Sequence, residues 1–333
     1  MSENATENES GPSMPALWGW RTWASMAVTL GVLAVLAAQV DFEQVWSDIR
    51  QADMRYALLG AFAHYLTYFV RGRRWKKCLA HLPIRASSLK FGLVVFFYNW
   101  VDNIVPAKLG DLYAAHMARI NFRIKRSQAL GSIVFLRMID AWVVLLLAAV
   151  SSWLIFSANL PEFVGWSLIG GVAMALAATC VLITFIFLKK KTPAWIPESF
   201  QRMIRDFRAG MRPDRRYFFE ISFLTLSIWT LETLWIYCLT LAFGLHLGPV
   251  TVVFLTTLSL LASIFPLTPS GAGAVEITIF VCLRLVNVPV AIATSFTVLN
   301  RIIDYWLHIL LGILTFAIRK KFNLHTWREV PKP

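Results

Sequence analysis

The segment PAKLGDLYAAHMARINFRIKRSQALGSIVFLRMIDAW, residues Pro106 to Trp142, decides how the chain is read. It opens on a Pro/Gly break inside an apolar run, PAKLGD (Pro106 to Asp111). It closes on RMIDAW (Arg137 to Trp142), a charged pair inside a helix of membrane length. Both halves recur downstream, as PSGAGA (Pro269 to Ala274) and RIIDYW (Arg301 to Trp306). Pro106 to Gly110 and Pro269 to Gly273 have the same spacing, and the arginines follow those glycines by 27 and 28 residues. Two linked coincidences of this kind indicate an internal duplication.

Composition sets the class. Of the 333 residues, 57% are hydrophobic and 15% charged, where a soluble domain has about 25% charged. The mean hydropathy is +0.60. Several apolar runs reach the roughly 20 residues that cross a bilayer as helix, so the chain reads as an all-α integral membrane protein. The net charge of +13 does not signal nucleic acid, because the Lys and Arg sit in short clusters between apolar runs, the positive-inside pattern. Cys78, Cys180, Cys238 and Cys282 show no metal or redox spacing, and read as membrane cysteines. No metal and no cofactor are expected.

Taken in order, residues 1–17 read as a disordered polar tail. Trp18 to Val40 is a first span. LAAQ (Leu36 to Gln39) resembles a signal-peptide cleavage site, but the long apolar stretch and acidic start favour a retained helix. An interfacial helix follows over Asp41 to Asp53, with Phe42, Val45, Trp46 and Ile49 on its apolar side. Met54 to Val70 is a second span that runs into RGRRWKK (Arg71 to Lys77), a cytoplasmic marker. The apolar run Leu89 to Val105, the break at Pro106 to Gly110 and the short helix Leu112 to Ile120 have basic flanks at both ends. A re-entrant helical hairpin satisfies that; a single crossing does not. Ser127 to Phe156 is the third span and Trp166 to Leu188 the fourth. A basic cytoplasmic loop, 189–216, carries an amphipathic piece around Phe200 to Phe207. Tyr217 to Phe243 is the fifth span. A second hairpin, Thr251 to Phe265 and Val275 to Val286, enters from outside, and Val290 to Ile318 is the sixth span.

The predicted cytoplasmic regions 71–90, 119–126, 189–216 and 319–333 hold 7, 4, 9 and 5 Lys/Arg, and the predicted outer loops hold one, Arg50. The expectation is therefore six transmembrane helices plus two re-entrant hairpins in an inverted-topology repeat. The first repeat covers residues 18–156, the second 157–320, and 321–333 form a cytoplasmic tail. Such repeats place substrate sites near the midplane at broken helices. The expected location is the cytoplasmic (inner) membrane, multi-pass, with both termini inside.

The candidate site residues follow from this frame. Arg137 and Arg301 lie roughly 15 Å deep at about 1.5 Å per residue, where an Arg costs at least ~2.5 kcal/mol. Asp140 and Asp304, at i+3 on the same helix face, are expected to offset that, as resting partners of an arginine that receives an anionic headgroup. The planar guanidinium suits phosphate. Gly110 and Gly273 are expected to permit tight turns, so that two half-helix N-termini favour an anion. Lys108, Ser270 and Gly271 stand at the breaks marked by Pro106 and Pro269. Asp111 and Glu276 either bind a proton or cation or pair with Arg137 and Arg301, and Asp111 also suits a helix cap. Asn99, Asp102 and Asn103 line a wet cavity or satisfy freed backbone groups. Glu232 and Arg284 stand isolated. His64, His116 and His308 read as polar packing residues.

Enzyme signatures are lacking. TPSG (Thr268 to Gly271) is similar to the PSGH element of lipid phosphatases, but Ala272 stands in place of the His. No nucleophile–base pair and no phosphate loop are found.

At these residues the chain resembles the flippase-like membrane domain of lysylphosphatidylglycerol synthases and their stand-alone relatives. That family's pattern Asn-x-x-Pro-x-(Arg)-x-Gly-(Glu) stands here as NIVPAKLGD, with Lys108 and Asp111 as like-charge replacements. Pro269, Gly271, Gly273 and Glu276 match Pro-x-Gly-x-Gly-x-x-Glu, and Arg301 matches a deep Arg in the last helix. The resemblance covers about residues 20–320. It departs at Ala114, where the family often has Arg, which removes one headgroup contact. It implies lipid translocation or membrane-lipid biosynthesis, with membrane lipids as partners. Lipid aminoacylation is not expected, since no aminoacyl-transferase domain follows. Three readings result: a flippase for an anionic lipid or lipid-linked intermediate, an accessory subunit presenting lipid to a biosynthetic enzyme, and a membrane transferase with an unrecognised site.

Overall fold

A computed structural model of the chain describes residues 42–104, 110–157, 159–187, 197–212, 214–264 and 273–325. The predicted tail and first span, the loop 189–196, and Pro106, Lys108, Pro269, Ser270 and Gly271 lie outside the described residues.

Among the described residues the protein is all helical. In chain order the helices are α1 (Phe42–Gln51), α2 (Met54–Cys78), α3 (Ser88–Ile104), α4 (Gly110–Phe122), α5 (Arg126–Phe156) and α6 (Glu162–Phe187). They continue with α7 (Glu198–Gly210), α8 (Phe218–Ala242), α9 (Pro249–Ile264), α10 (Ala274–Leu285), α11 (Val290–Arg301) and α12 (Leu307–Ile318). A single π-helical turn, Ile302–Trp306, joins α11 to α12. Among the described residues, four helical stretches are long and apolar enough to cross a membrane: Arg126–Phe156, Glu162–Thr184, Phe218–Ala242 and Val290–Phe322. Exposed Leu146, Trp153, Ile169, Phe219 and Phe223 give these helices apolar outer faces, as expected of an integral membrane protein.

The predicted second span is a departure. Arg71 to Lys77 is not a loop. It forms the last two turns of α2, and Arg74 is buried there. The cluster divides: Arg73 and Lys77 reach Glu220 at 3.2 and 2.9 Å at the end of α8, while Arg71 and Arg74 turn inward. Helical periodicity forces the division, because residues three apart share a face and their neighbours do not.

α2 packs along α8 and crosses α3; α3 packs on α4, and α9 on α10, so each broken segment is a pair of packed helices. The crossings depend on missing side chains. A Cβ on Gly72 would meet the backbone of Gly92 and Phe91. We expect Gly72→Ala to force α2 from α3 and lower stability by about 1–3 kcal/mol. Thermal unfolding in detergent would read the loss, and an unchanged midpoint would refute the close crossing.

The amphipathic helices settle differently. In α1, Val45 and Ile49 are buried on the protein whereas Phe42 and Trp46 are exposed, so the predicted single apolar side splits in two. α7 lies across α5, with Gly131 against Phe207 and Gly210 against Gln128. Phe200 and Met203 remain exposed. Lys125 reaches Asp206 at 2.9 Å with its own side chain 63% exposed. Such a pair is worth at most about 1 kcal/mol, so Lys125→Ala should barely shift the midpoint. The glycine contacts, not this ion pair, hold α7.

Two buried apolar clusters divide the helices lengthwise. On α5, Ala129, Ile133 and Leu136 belong to one, and Val144, Leu145 and Ala148 to the other. On α2, Trp75 and Cys78 belong to the first, and Ala57 and Ala61 to the second. The charged residues of both helices, Arg137 and Asp140 on α5 and Arg71 and Arg74 on α2, fall in the interval between.

Candidate functional site

That interval contains a cavity of about 530 Å³. Its walls come from α2, α3, α4, α5, α8, α9, α10, α11 and the π-turn, and its charged lining comprises Arg71, Arg137, Asp111, Asp140, Glu232 and Asp304. A smaller void of about 40 Å³ beside it touches Arg71, Arg74, Tyr98, Arg137 and Asp140, and is roomy enough for water.

The expected pairs along each helix do not form. Arg137 leaves Asp140 and donates from Nη2 to Asp111 Oδ1 at 2.6 Å, with Asp102 Oδ2 at 3.6 Å. Asp140 is taken by Arg74 through two bonds, Nη1 to Oδ1 at 2.6 Å and Nη2 to Oδ2 at 2.7 Å. Arg301 leaves Asp304, and its Nε lies 2.9 Å from Glu276 Oε1. Asp304 instead faces His64, 3.3 Å away. An i,i+3 pair on one helix is worth only about 0.2–0.5 kcal/mol. Charge-assisted bonds between helices are about twice as strong as neutral ones, and they win.

The outcome is a repeated device. A carboxylate in the first turn after each break holds the deep arginine of the long helix that follows: Asp111 holds Arg137, and Glu276 holds Arg301. The breaks differ in detail. Gly273 adopts a positive φ of 88°, and its N–H donates to Glu276 Oε2 at 2.7 Å. This is the reach-back half of a capping box. Gly110 makes no such turn; it is the first residue of α4. Its N–H donates to Asp102 Oδ1 at 2.7 Å, where a Cβ would collide with that carboxylate. The cap expected of Asp111 is therefore supplied by Asp102, which frees Asp111 for Arg137. Asn99 and Asn103 line the cavity. Asn99 bonds its own helix through Val95 O at 2.9 Å, and the Asn103 carbonyl accepts from Tyr305 Oη at 3.1 Å.

Four residues enter the site that the sequence reading left out of it. Glu232 is not isolated: Arg71 Nη2 donates to its Oε1 at 3.0 Å, and His64 Nδ1 lies 3.2 Å from its Oε2. His64 thus stands in the cavity wall beside a carboxylate. Arg71 and Arg74 stand in the run read as a cytoplasmic marker. The available signal was a glutamate in the middle of an apolar span, which demands a partner. Its partners lie 161 and 168 residues away in sequence, beyond any local pattern. Arg284, the other isolated charge, donates to Val288 O at 2.6 Å and caps its own helix end.

These features define an integral membrane protein whose described helices enclose a charged cavity between the α3–α4 and α9–α10 pairs. Residues 22–312 match the lysylphosphatidylglycerol synthase TM region, and the chain belongs to that family. It is 27% identical over 221 residues to a UPF0104 membrane protein of Methanocaldococcus jannaschii, covering 66% of this chain and 94% of the relative. A UPF0104 membrane protein of Pyrococcus horikoshii is 24% identical over 330 residues, covering 89% and 97%. Glycosyltransferase AglD of Haloferax volcanii is 23% identical over 332 residues, covering 87% of this chain and 53% of that protein.

Proposed function

We propose that the protein translocates a phosphate-bearing lipid or lipid-linked intermediate across the cytoplasmic membrane. The observation that carries this reading is the cavity of about 530 Å³ with Arg137 at its wall. That volume suits a lipid headgroup. Arg137 stands in the middle of α5, and its side chain is 44% exposed although bound to Asp111. An arginine that is paired yet open to a cavity can exchange its carboxylate for a phosphate. The acyl or isoprenoid tails stay in lipid.

The topology belongs to the same proposal. α2, α5, α6, α8 and α11–α12, with the span predicted at Trp18 to Val40, give six crossings. The pair α3–α4 enters from inside and α9–α10 from outside, as an inverted repeat. The distribution of Lys and Arg supports this, as does the repeated carboxylate–arginine device. Rocking of the repeats alternates access, and each break releases its arginine in turn.

A second reading is a non-catalytic accessory subunit that presents lipid to a biosynthetic enzyme. The AglD relative favours it: this chain matches 53% of a protein named as a glycosyltransferase. Residues 189–216, with nine Lys/Arg, would form the docking face.

Reconstitution into liposomes with fluorescent phosphatidylglycerol separates the two. Translocation predicts that dithionite quenches the inner-leaflet label faster than in protein-free vesicles. No acceleration for any phosphate-bearing lipid, with a stable partner enzyme co-purifying, selects the accessory role. Native mass spectrometry of the purified protein would identify a retained lipid.

A further inference from the structure

The cavity's charge balance poses a problem for any anion. Three guanidinium groups, Arg71, Arg74 and Arg137, serve four carboxylates, Asp111, Asp140, Glu232 and Asp304, around its described lining and the adjoining void. A phosphate entering this space adds negative charge to an acidic excess, and uncompensated charge is costly in a low-dielectric interior. Positive charge has to enter with it.

His64 is built to hold that charge. Its two ring nitrogens face carboxylates from two different elements: Nδ1 lies 3.2 Å from Glu232 Oε2 on α8, and Nε2 lies 3.3 Å from Asp304 Oδ1 in the π-turn. A neutral imidazole has one N–H and one lone pair. With both carboxylates ionised, that lone pair would face an acceptor. One further proton makes both ring nitrogens donors, one toward each carboxylate; without it, Tyr68 Oη is the donor within reach of the Nε2 lone pair. The neighbours make contacts of their own. Arg71 on α2 occupies Glu232 Oε1 at 3.0 Å, and Tyr65 Oη donates to Ile303 O at 3.0 Å. Tyr68 Oη lies 3.0 Å from His308 Nδ1 on α12 and 3.5 Å from His64 Nε2. Asp304 is 34% exposed while His64 is 8% exposed, so Asp304 is the open end of the bridge.

We propose that His64, bridging Glu232 and Asp304, is a proton-binding site whose proton moves with the phosphate-bearing lipid. The inference rests on the translocation reading of the cavity. One proton enters for one added negative charge. The phosphate displaces Asp111 from Arg137 while the imidazolium ties α2 to α8 and to the π-turn. On release, the proton leaves from His64 through Asp304 to water, and the bridge loses its charged contact to Asp304. The π-turn conveys this to the second break, because Arg301, three residues before Asp304, holds Glu276. Isolated π-turns within α-helices frequently mark functional sites.

Two measurements on the full-length protein test this. In liposomes with fluorescent phosphatidylglycerol, a pH difference of about one unit, worth ~1.4 kcal/mol per proton, should accumulate label in one leaflet. Reversing the difference should reverse the leaflet. Normalised to each variant's rate without a gradient, the response should vanish in His64→Gln and in Asp304→Asn. In detergent, the emission of Trp235, whose ring lies 6.1 Å from His64, should show a one-proton transition that His64→Gln removes. Label that moves but ignores the gradient overturns the coupling and leaves translocation standing. Label that does not move removes the translocation reading and the coupling with it. A wild-type titration without the transition, or one that His64→Gln retains, overturns the proton site in either case.

Discussion

On the translocation proposal, Arg137→Gln should reduce lipid movement at least tenfold while leaving a folded protein. The guanidinium at Arg137 is held by Asp111 at 2.6 Å, yet 44% of the side chain is open to the cavity. A charge-assisted bond to a headgroup contributes about 1.5–3 kcal/mol, which is a factor of roughly 10–100 in rate or affinity. Arg137→Lys keeps the charge but loses the planar fork and should recover only part of the activity. Asp111→Asn removes the competing carboxylate and should tighten retention of a phosphate-bearing lipid, read by native mass spectrometry. Arg137→Gln alone leaves Asp111 unpaired, so Arg137→Gln with Asp111→Asn controls for that cost. A double variant that translocates at the wild-type rate would remove Arg137 from the mechanism.

Arg74→Ala should be the more damaging change to the fold. Arg74 is only 4% exposed and grips both oxygens of Asp140, at 2.6 and 2.7 Å. It also donates to Thr225 Oγ1 at 3.0 Å, which ties α2 to both α5 and α8. Removing one partner of a buried pair costs about 3–5 kcal/mol, because the other charge is left without compensation. Arg71 stands 4.0 Å from Asp140, too far to replace two short bonds. The thermal midpoint of Arg74→Ala should fall well below those of Arg137→Gln and Gly72→Ala. Arg74→Leu combined with Asp140→Leu should restore much of the loss, since an apolar pair leaves no orphan charge. A stability loss for Arg74→Ala of about 1 kcal/mol or less would show that the pair is solvated.

The contrast between these two arginines shows how far the sequence could be read. Both stand within or next to apolar helices. Arg137 drew notice because it is isolated in a long apolar run and recurs as Arg301. Arg74 was hidden in a run of basic residues that looked like a loop boundary. Nothing local separates Arg73, which faces Glu220, from Arg74, which faces Asp140; only the direction in which α2 presents each side chain does. The same holds for His64. Among six histidines it has no motif, and its role rests on a glutamate and an aspartate brought in from α8 and the π-turn.

The linear sequence by itself determined the class of protein and marked out Asp111, Glu276, Arg137 and Arg301 as candidates. These depend on hydropathy, Pro/Gly chemistry and spacing, which are local or periodic. The pairing of charges was decided only by the tertiary structure. Hydropathy cannot fix the rotation of α2 about its axis. That rotation is set by the Gly72–Gly92 crossing and the long contact with α8. It carries Arg71 and His64 to the cavity and Arg74 to the void beside it. It leaves Asp140 to Arg74, Asp304 to His64, and the two deep arginines to the carboxylates that follow the breaks.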